Sequence, residues 1–157
     1  PLVKNTKKLI QLISYGKKLS KLHTGFEEVE KYPIQFSQGD IRLLPIDNPA
    51  EFYKLNKMKF EKRGDKSSVV YNKNLTLINI PLEAYQYKIC GRPALEWVMD
   101  RQGINVDKSS GIKNDSNDYA NLTKRNPAYP LELFQRVITI SLETIKIVNS
   151  LPNLDID

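Results

Sequence analysis

The hydrophobic and polar positions of this chain change period twice. Over residues 4–22, Lys4, Lys7, Lys8, Gln11, Ser14, Lys17, Lys18 and Lys21 fall on one side of a 3.6-residue repeat, with Leu9, Leu12, Ile13, Gly16, Leu19 and Leu22 on the other. That spacing predicts an amphipathic helix, a lead-in over residues 1–25 whose apolar side must dock on something. A run of lysines on a helix is most simply its solvated face. Residues 26–51 then lose any sustained period. Pro33, Pro45 and Pro49, with Gly25 and Gly39, predict an irregular connection with short extended pieces, because proline brings no N–H to a ladder and biases its predecessor away from helix.

Residues 52–90 are rich in β-branched and aromatic side chains and predict a sheet, with strands at 52–60, 68–71, 75–80 and 84–89. Asn72-Lys73-Asn74 reads as a hairpin turn, since Asn tolerates left-handed backbone. Residues 61–67, EKRGDKS, read as a longer mobile loop. In the first strand a period of two sends Met58 and Phe60 inward and leaves Lys57 and Lys59 outward.

Residues 91–152 return to helical spacing and one polar loop. Gly91-Arg92-Pro93 is a turn feeding a short helix with Leu95, Val98 and Met99 on one side. At 109–118 the Asn and Asp side chains can bond their own backbone, with Gly111 as the residue at positive φ. Leu133, Phe134, Val137, Ile138, Ser141, Ile145 and Val148 make the stripe of a long helix that starts at Pro130 and stops before Pro152. The predicted fold is one α/β (α+β) domain, 1–157, in which a mixed or antiparallel sheet is flanked by the N-terminal amphipathic helix and the long C-terminal helix. The chain opens Pro1-Leu2-Val3 without an initiator Met, so it reads as a piece of a longer polypeptide.

Charge adds a class of partner. The chain carries 24 Lys+Arg against 18 Asp+Glu, a net charge of +6, which fits an anionic partner. One cysteine, Cys90, and one histidine, His23, allow neither an intramolecular disulfide nor a Cys/His zinc set, and a reducing cytoplasm is the expected compartment. The most apolar stretch, 131–151, is interrupted by Glu132, Gln135, Arg136, Glu143 and Lys146, so no membrane partner is expected.

No constellation for catalysis emerges. The chain contains no Asp-x-Lys or Glu-x-Lys for a metal-dependent nuclease, no phosphate-binding glycine loop and no dinucleotide fingerprint, and no cofactor is expected. Asn126-Pro127-Ala128-Tyr129 is similar to the Asn-Pro-Pro-Tyr loop of amino-methyltransferases but has Ala at its third position. Its simpler role is to frame the start of the last helix. His23 reads as a cap or packing residue and Trp97 as core. Tyr85 and Tyr87 read as neighbours on one strand face, and Cys90 as a small buried hydrophobe.

Four segments carry a resemblance: LHTGFEEVE at 22–30, GRPALEWVMDR at 91–101, SGIKNDSND at 110–118 and VITISLETIKIVNSLP at 137–152. Together and in order they resemble the C-terminal specificity domain of the single-polypeptide type I (type ISP) restriction-modification enzymes. The resemblance implies a module that contacts double-stranded DNA and delivers a target adenine to a methyltransferase. It also implies that the methyltransferase, a helicase-like motor and a nuclease lie upstream in the same polypeptide. Residues that read bases must vary between relatives, so the recognisable segments are expected to be scaffold. Phosphate and base contacts are expected instead from Lys57, Lys59, Lys62, Arg63, Lys66, Asn72, Lys73 and Asn74 on the sheet and its loops. The alternative is a docking module between motor and methyltransferase, without DNA contact, that uses the apolar side of residues 9–22.

Overall fold

A computed structural model describes residues 6–153; the predicted helix start at Lys4 lies outside the described residues. Helix α1 (Thr6–Thr24) leads into a 3₁₀ turn at Phe26–Glu28. Next come strand β1 (Gln35–Phe36), a 3₁₀ turn at Ile41–Leu43 and the single-turn helix α2 (Pro49–Phe52). Asn48 caps α2 by accepting the Glu51 N–H. Strands β2 (Lys59–Lys62), β3 (Asp65–Val70) and β4 (Thr76–Ile78) complete an antiparallel sheet of order β1-β4-β3-β2. A small hairpin, β5 (Lys88–Ile89) with β6 (Arg92–Pro93), runs straight into α3 (Ala94–Arg101). Then come the ribbon β7 (Ile104–Val106) and β8 (Lys113–Asp115), the turn α4 (Ser116–Asp118), a π turn at Tyr119–Thr123 and α5 (Tyr129–Asn149).

The core lies where one face of the sheet meets α3 and α5. Val69, Tyr71, Leu75 and Leu77 from the sheet pack in one cluster with Leu95 and Met99 of α3 and Leu131, Phe134 and Ile138 of α5. Such burial contributes about 1.5–3 kcal/mol for each large apolar side chain, and it decides α5 for helix despite the β-branched run at Val137–Ile140. The Tyr71 hydroxyl donates to the Tyr53 carbonyl at 2.9 Å, so the largest buried side chain does not leave a polar atom unpaired.

Several expectations need correction. Residues 52–58 form α2 and an irregular segment rather than a strand, because Leu55 and Met58 reach the core from a loop. Residues 61–67 are not a long mobile loop but a tight hairpin: Lys62 faces Asp65 across a turn in which Gly64 takes φ +85°. Pro81 starts a 3₁₀ turn, Leu82–Gln86, that buries Tyr85 and separates it from Tyr87, so the two share no strand face. Cys90 is exposed, because the two-residue turn between Ile89 and Arg92 needs positive φ at both positions and Cys90 (+50°) and Gly91 (+80°) supply it. Trp97 is only partly buried. Its indole N–H donates to the Ile89 carbonyl at 2.9 Å, while the guanidiniums of Arg92 and Arg101 lie 5.0 and 5.7 Å from its ring centroid.

Other readings hold. His23 closes α1 with Nδ1 donating to the Leu19 carbonyl at 2.8 Å, and Nε2 accepts from the Tyr87 hydroxyl at 3.1 Å. Asn126 accepts the Ala128 N–H at 3.1 Å and the Tyr129 hydroxyl donates to Glu27 at 2.6 Å, so that four-residue segment frames the start of α5.

Candidate nucleic-acid interface

The segment joining α2 to β2 carries the site. It runs across the end of the sheet, pinned from below by Leu55 and Met58 in the core, and so presents Lys54 and Lys57 outward. With Lys59, Asn72, Lys73 and Glu51 these lysines line an open cleft of about 390 Å³. Glu51 pairs with Lys73 at 3.5 Å and with Lys54 at 3.7 Å. Lys57 and Lys59 form no ion pair among the described residues, which leaves the cleft with a net excess of positive charge.

The eight expected contact residues do not act as one group. Lys57, Lys59, Asn72 and Lys73 meet in the cleft, while Lys62 and Arg63 sit exposed at the turn of the adjoining β2–β3 hairpin. Lys66 points elsewhere: its ammonium bonds Glu96 at 2.7 Å and lies 5.4 Å from the Tyr85 ring centroid. Asn72 uses its whole amide inside the protein. Its oxygen accepts the N–H groups of Asn74 and Leu75 at 2.8 and 2.9 Å, and its nitrogen donates to the carbonyls of Phe52 and Lys54 at 2.9 and 3.0 Å. The Asn74 amide nitrogen also donates to Phe52, at 2.9 Å. Asn72 therefore shapes the wall of the cleft, and Asn74 braces the α2 end of the segment through Phe52. Lys54 escapes the sequence reading because periodicity puts it in the interior of a strand; its one signal is membership of the same basic run.

Beside the cleft stands the β7–β8 ribbon, which the sequence suggests only as a self-bonded loop. The Ile104 N–H donates to the Asn56 carbonyl at 2.8 Å, joining the root of the ribbon to the floor of the cleft. Gly103 takes φ +106°, and a Cβ there would overlap the Asn56 carbonyl, so only glycine permits this approach. At the far end Asp107 organises the tip. Its carboxylate accepts from the N–H groups of Ser109 and Ser110 at 3.0 and 2.8 Å and from their hydroxyls at 2.6 and 2.9 Å. The Ser109 hydroxyl and the Ser110 N–H hold the carboxyl well below the usual carboxylate range. Gly111, at φ +70°, closes the turn as expected.

Among the described residues no group of His, Cys, Asp and Glu could hold a metal ion, and no helix is long and apolar enough to cross a membrane. Fold and site together define an α+β recognition module: a packed scaffold that presents a basic cleft beside a rigid polar ribbon. The family model for the Type ISP C-terminal specificity domain matches residues 1–133, and the chain belongs to that family. Among solved structures it is similar to a nuclease-deletion mutant of the Type ISP restriction-modification enzyme LlaGI in complex with a DNA substrate mimic. There the identity is 36%, the TM-score is 0.79, and the match covers 100% of this chain and 11% of that one. It is also similar to the ATP-dependent Type ISP enzyme LlaBIII bound to DNA, at 34% identity and TM-score 0.79, covering 100% of this chain and 9% of that one. The DrdV–DNA complex matches at 30% identity and TM-score 0.63, over 91% of this chain and 14% of that one. The chain thus spans about a tenth of the length of the first two enzymes. No curated protein matches it.

Proposed function

We propose that this chain is the double-stranded DNA recognition module of a restriction-modification enzyme, working in the bacterial cytoplasm as part of defence against foreign DNA. Its belonging to a specificity-domain family whose solved relatives are held on DNA is the observation that carries the reading. The unpaired Lys57 and Lys59, with Lys54 and Lys73 beside them and Lys62 and Arg63 on the next hairpin, supply the phosphate contacts that set the protein's register on the duplex. The module performs no chemistry of its own. Cleavage, translocation and adenine methylation belong to nuclease, motor and methyltransferase domains of the same polypeptide, and recognition here brings the target adenine to the last of these.

Salt-dependent binding of a labelled duplex tests this. If about four to six phosphates are neutralised, the logarithm of the affinity falls against the logarithm of salt with a slope of roughly −4 to −5. Binding with no salt dependence, or no binding, refutes the proposal.

One observation favours a second, compatible role for α1. None of its 19 residues is buried, and Ile10 and Ile13 are 61% and 50% exposed. About nine-tenths of the LlaGI and LlaBIII chains lie outside the matched region. The apolar side of α1 is accordingly the seat of a neighbouring domain of the same polypeptide.

A further inference from the structure

We infer that Asn56, in the middle of the segment joining α2 to β2, is a base-reading side chain of this module, and that it selects an adenine in the major groove. The inference rests on the DNA reading above and adds to it a residue that selects sequence and the base it selects.

A base reader meets two demands at once: its backbone is held still, and its side chain is free to differ between relatives that read different sequences. Asn56 meets both. Its predecessor Leu55 is clamped through N–H and carbonyl by the Asn117 amide, at 2.8 Å each, and Met58, two residues on, is 2% exposed in the core. The Asn56 carbonyl itself accepts the Ile104 N–H at 2.8 Å, an approach that Gly103 makes possible. None of these anchors uses the Asn56 side chain. Asn117 belongs to one of the four segments that carry the family resemblance, whereas Asn56 lies outside all four. The scaffold thus fixes the position of a side chain that it does not specify.

Asn56 is exposed and lines the cleft, and its amide makes no hydrogen bond among the described residues. Asparagine is favoured in loops because its side chain bonds nearby backbone, and Asn48, Asn72 and Asn126 do so in this chain. Asn56 does not, so turn formation does not account for it. Its oxygen and nitrogen are both open, and these are the two groups that recognise adenine in the major groove, the nitrogen donating to N7 and the oxygen accepting from N6.

The surrounding charges favour a duplex at this position. Lys54, Lys57, Lys59 and Lys73 stand against one lining carboxylate, Glu51, which Lys73 and Lys54 pair at 3.5 and 3.7 Å. Asp115, which faces Ile104 at the root of the ribbon, is engaged by Lys113 at 3.1 Å and by the Asn117 amide at 2.7 Å. Phosphates held by Lys57 and Lys59 then set the register in which Asn56 meets a base pair.

The test selects duplexes from a randomised pool with the wild-type protein and repeats the selection with Asn56→Ala, Asn56→Arg and Lys57→Ala. Wild type is expected to select a motif containing adenine. Asn56→Ala should relax one adenine position alone and weaken binding to the preferred duplex about tenfold to a hundredfold, with unspecific binding and its salt slope retained. Asn56→Arg should move the preference at that position to guanine, whose O6 and N7 a guanidinium bonds as a pair. Lys57→Ala is the contrast: it should keep the motif and reduce the magnitude of the salt slope by about 0.9. Because the Asn56 amide bonds nothing in the protein, its variants should melt as wild type does, and retained unspecific binding certifies their fold. An unchanged motif in Asn56→Ala, or relaxation at a position that is not adenine, overturns the inference while leaving the DNA reading intact, as does duplex binding by wild type without sequence preference. Absence of duplex binding by wild type overturns both.

Discussion

Asn117 holds Leu55, 62 residues away, as a partner strand would. Its amide oxygen accepts the Leu55 N–H at 2.8 Å and its amide nitrogen donates to the Leu55 carbonyl at 2.8 Å. Leu55 is fully buried, so its backbone has no water to turn to. This single side chain secures the segment that forms the cleft and, through α4, the segment that follows the ribbon.

Replacing Asn117 by Ala leaves both Leu55 backbone groups buried and unpaired. The expected loss is about 2–6 kcal/mol, since each of the two orphaned groups costs roughly 1–3 kcal/mol. Urea denaturation reads it; a loss no larger than that of an ordinary surface substitution would show that the clamp is dispensable.

Two glycines with positive φ should separate cleanly. At Gly111 an added Cβ would meet open space, so Gly111→Ala costs only the left-handed backbone, about 1 kcal/mol. At Gly103 the same strain is joined by overlap with the Asn56 carbonyl, and overpacking adds about 1–3 kcal/mol. Gly103→Ala should therefore lower the melting temperature at least twice as far as Gly111→Ala. Equal shifts would show that the ribbon root has room to move.

What is legible in the sequence follows from how local the cause is. The helices α1, α3 and α5 and the Asn72 turn rest on spacing and residue type within one element, and they can be read. Gly111 is readable for the same reason, as the glycine of a short polar loop. The positions that mislead depend on distant partners: Leu55 owes its buried loop conformation to Asn117, and Tyr85 owes its place to a 3₁₀ turn packed against α5. The site divides along the same line. Lys57 and Lys59 can be placed outward from a period of two, whereas Glu96 drawing Lys66 aside leaves no local signal. Nor does the meeting of Ile104 with Asn56 that sets the ribbon beside the cleft.

The Asp107 tip has a pH signature. A carboxyl whose pKa is lowered on folding contributes stability above its unfolded value, 3.8, and loses it only as pH falls through the lower folded value. The tip should therefore stay ordered at about pH 4, where an unperturbed Asp is already half protonated, and titrate only below the ordinary Asp range. The carboxyl carbon shift of Asp107 measures this directly. Titration near 3.8 would mean that the four hydrogen bonds do not persist in solution. Asp107→Asn keeps one accepting oxygen and should preserve more of the tip than Asp107→Ala.

Charge reversal locates the phosphate contacts. Lys57 and Lys59 lie in the cleft without ion-pair partners among the described residues, so Lys57→Glu with Lys59→Glu removes two cations and breaks no ion pair there. Each lost phosphate contact reduces the magnitude of the salt slope by about 0.9, and the double variant should flatten it by about two units while weakening duplex binding at low salt. Lys62→Glu with Arg63→Glu, on the neighbouring hairpin, should act in the same direction. The control is Lys17→Glu with Lys21→Glu on α1, equally exposed and carrying the same change of charge. A general electrostatic field would make all three double variants alike, whereas a cleft that touches the backbone makes the α1 pair nearly silent. If the α1 pair flattens the slope and the cleft pair does not, the duplex lies along the helix and the assigned face is wrong.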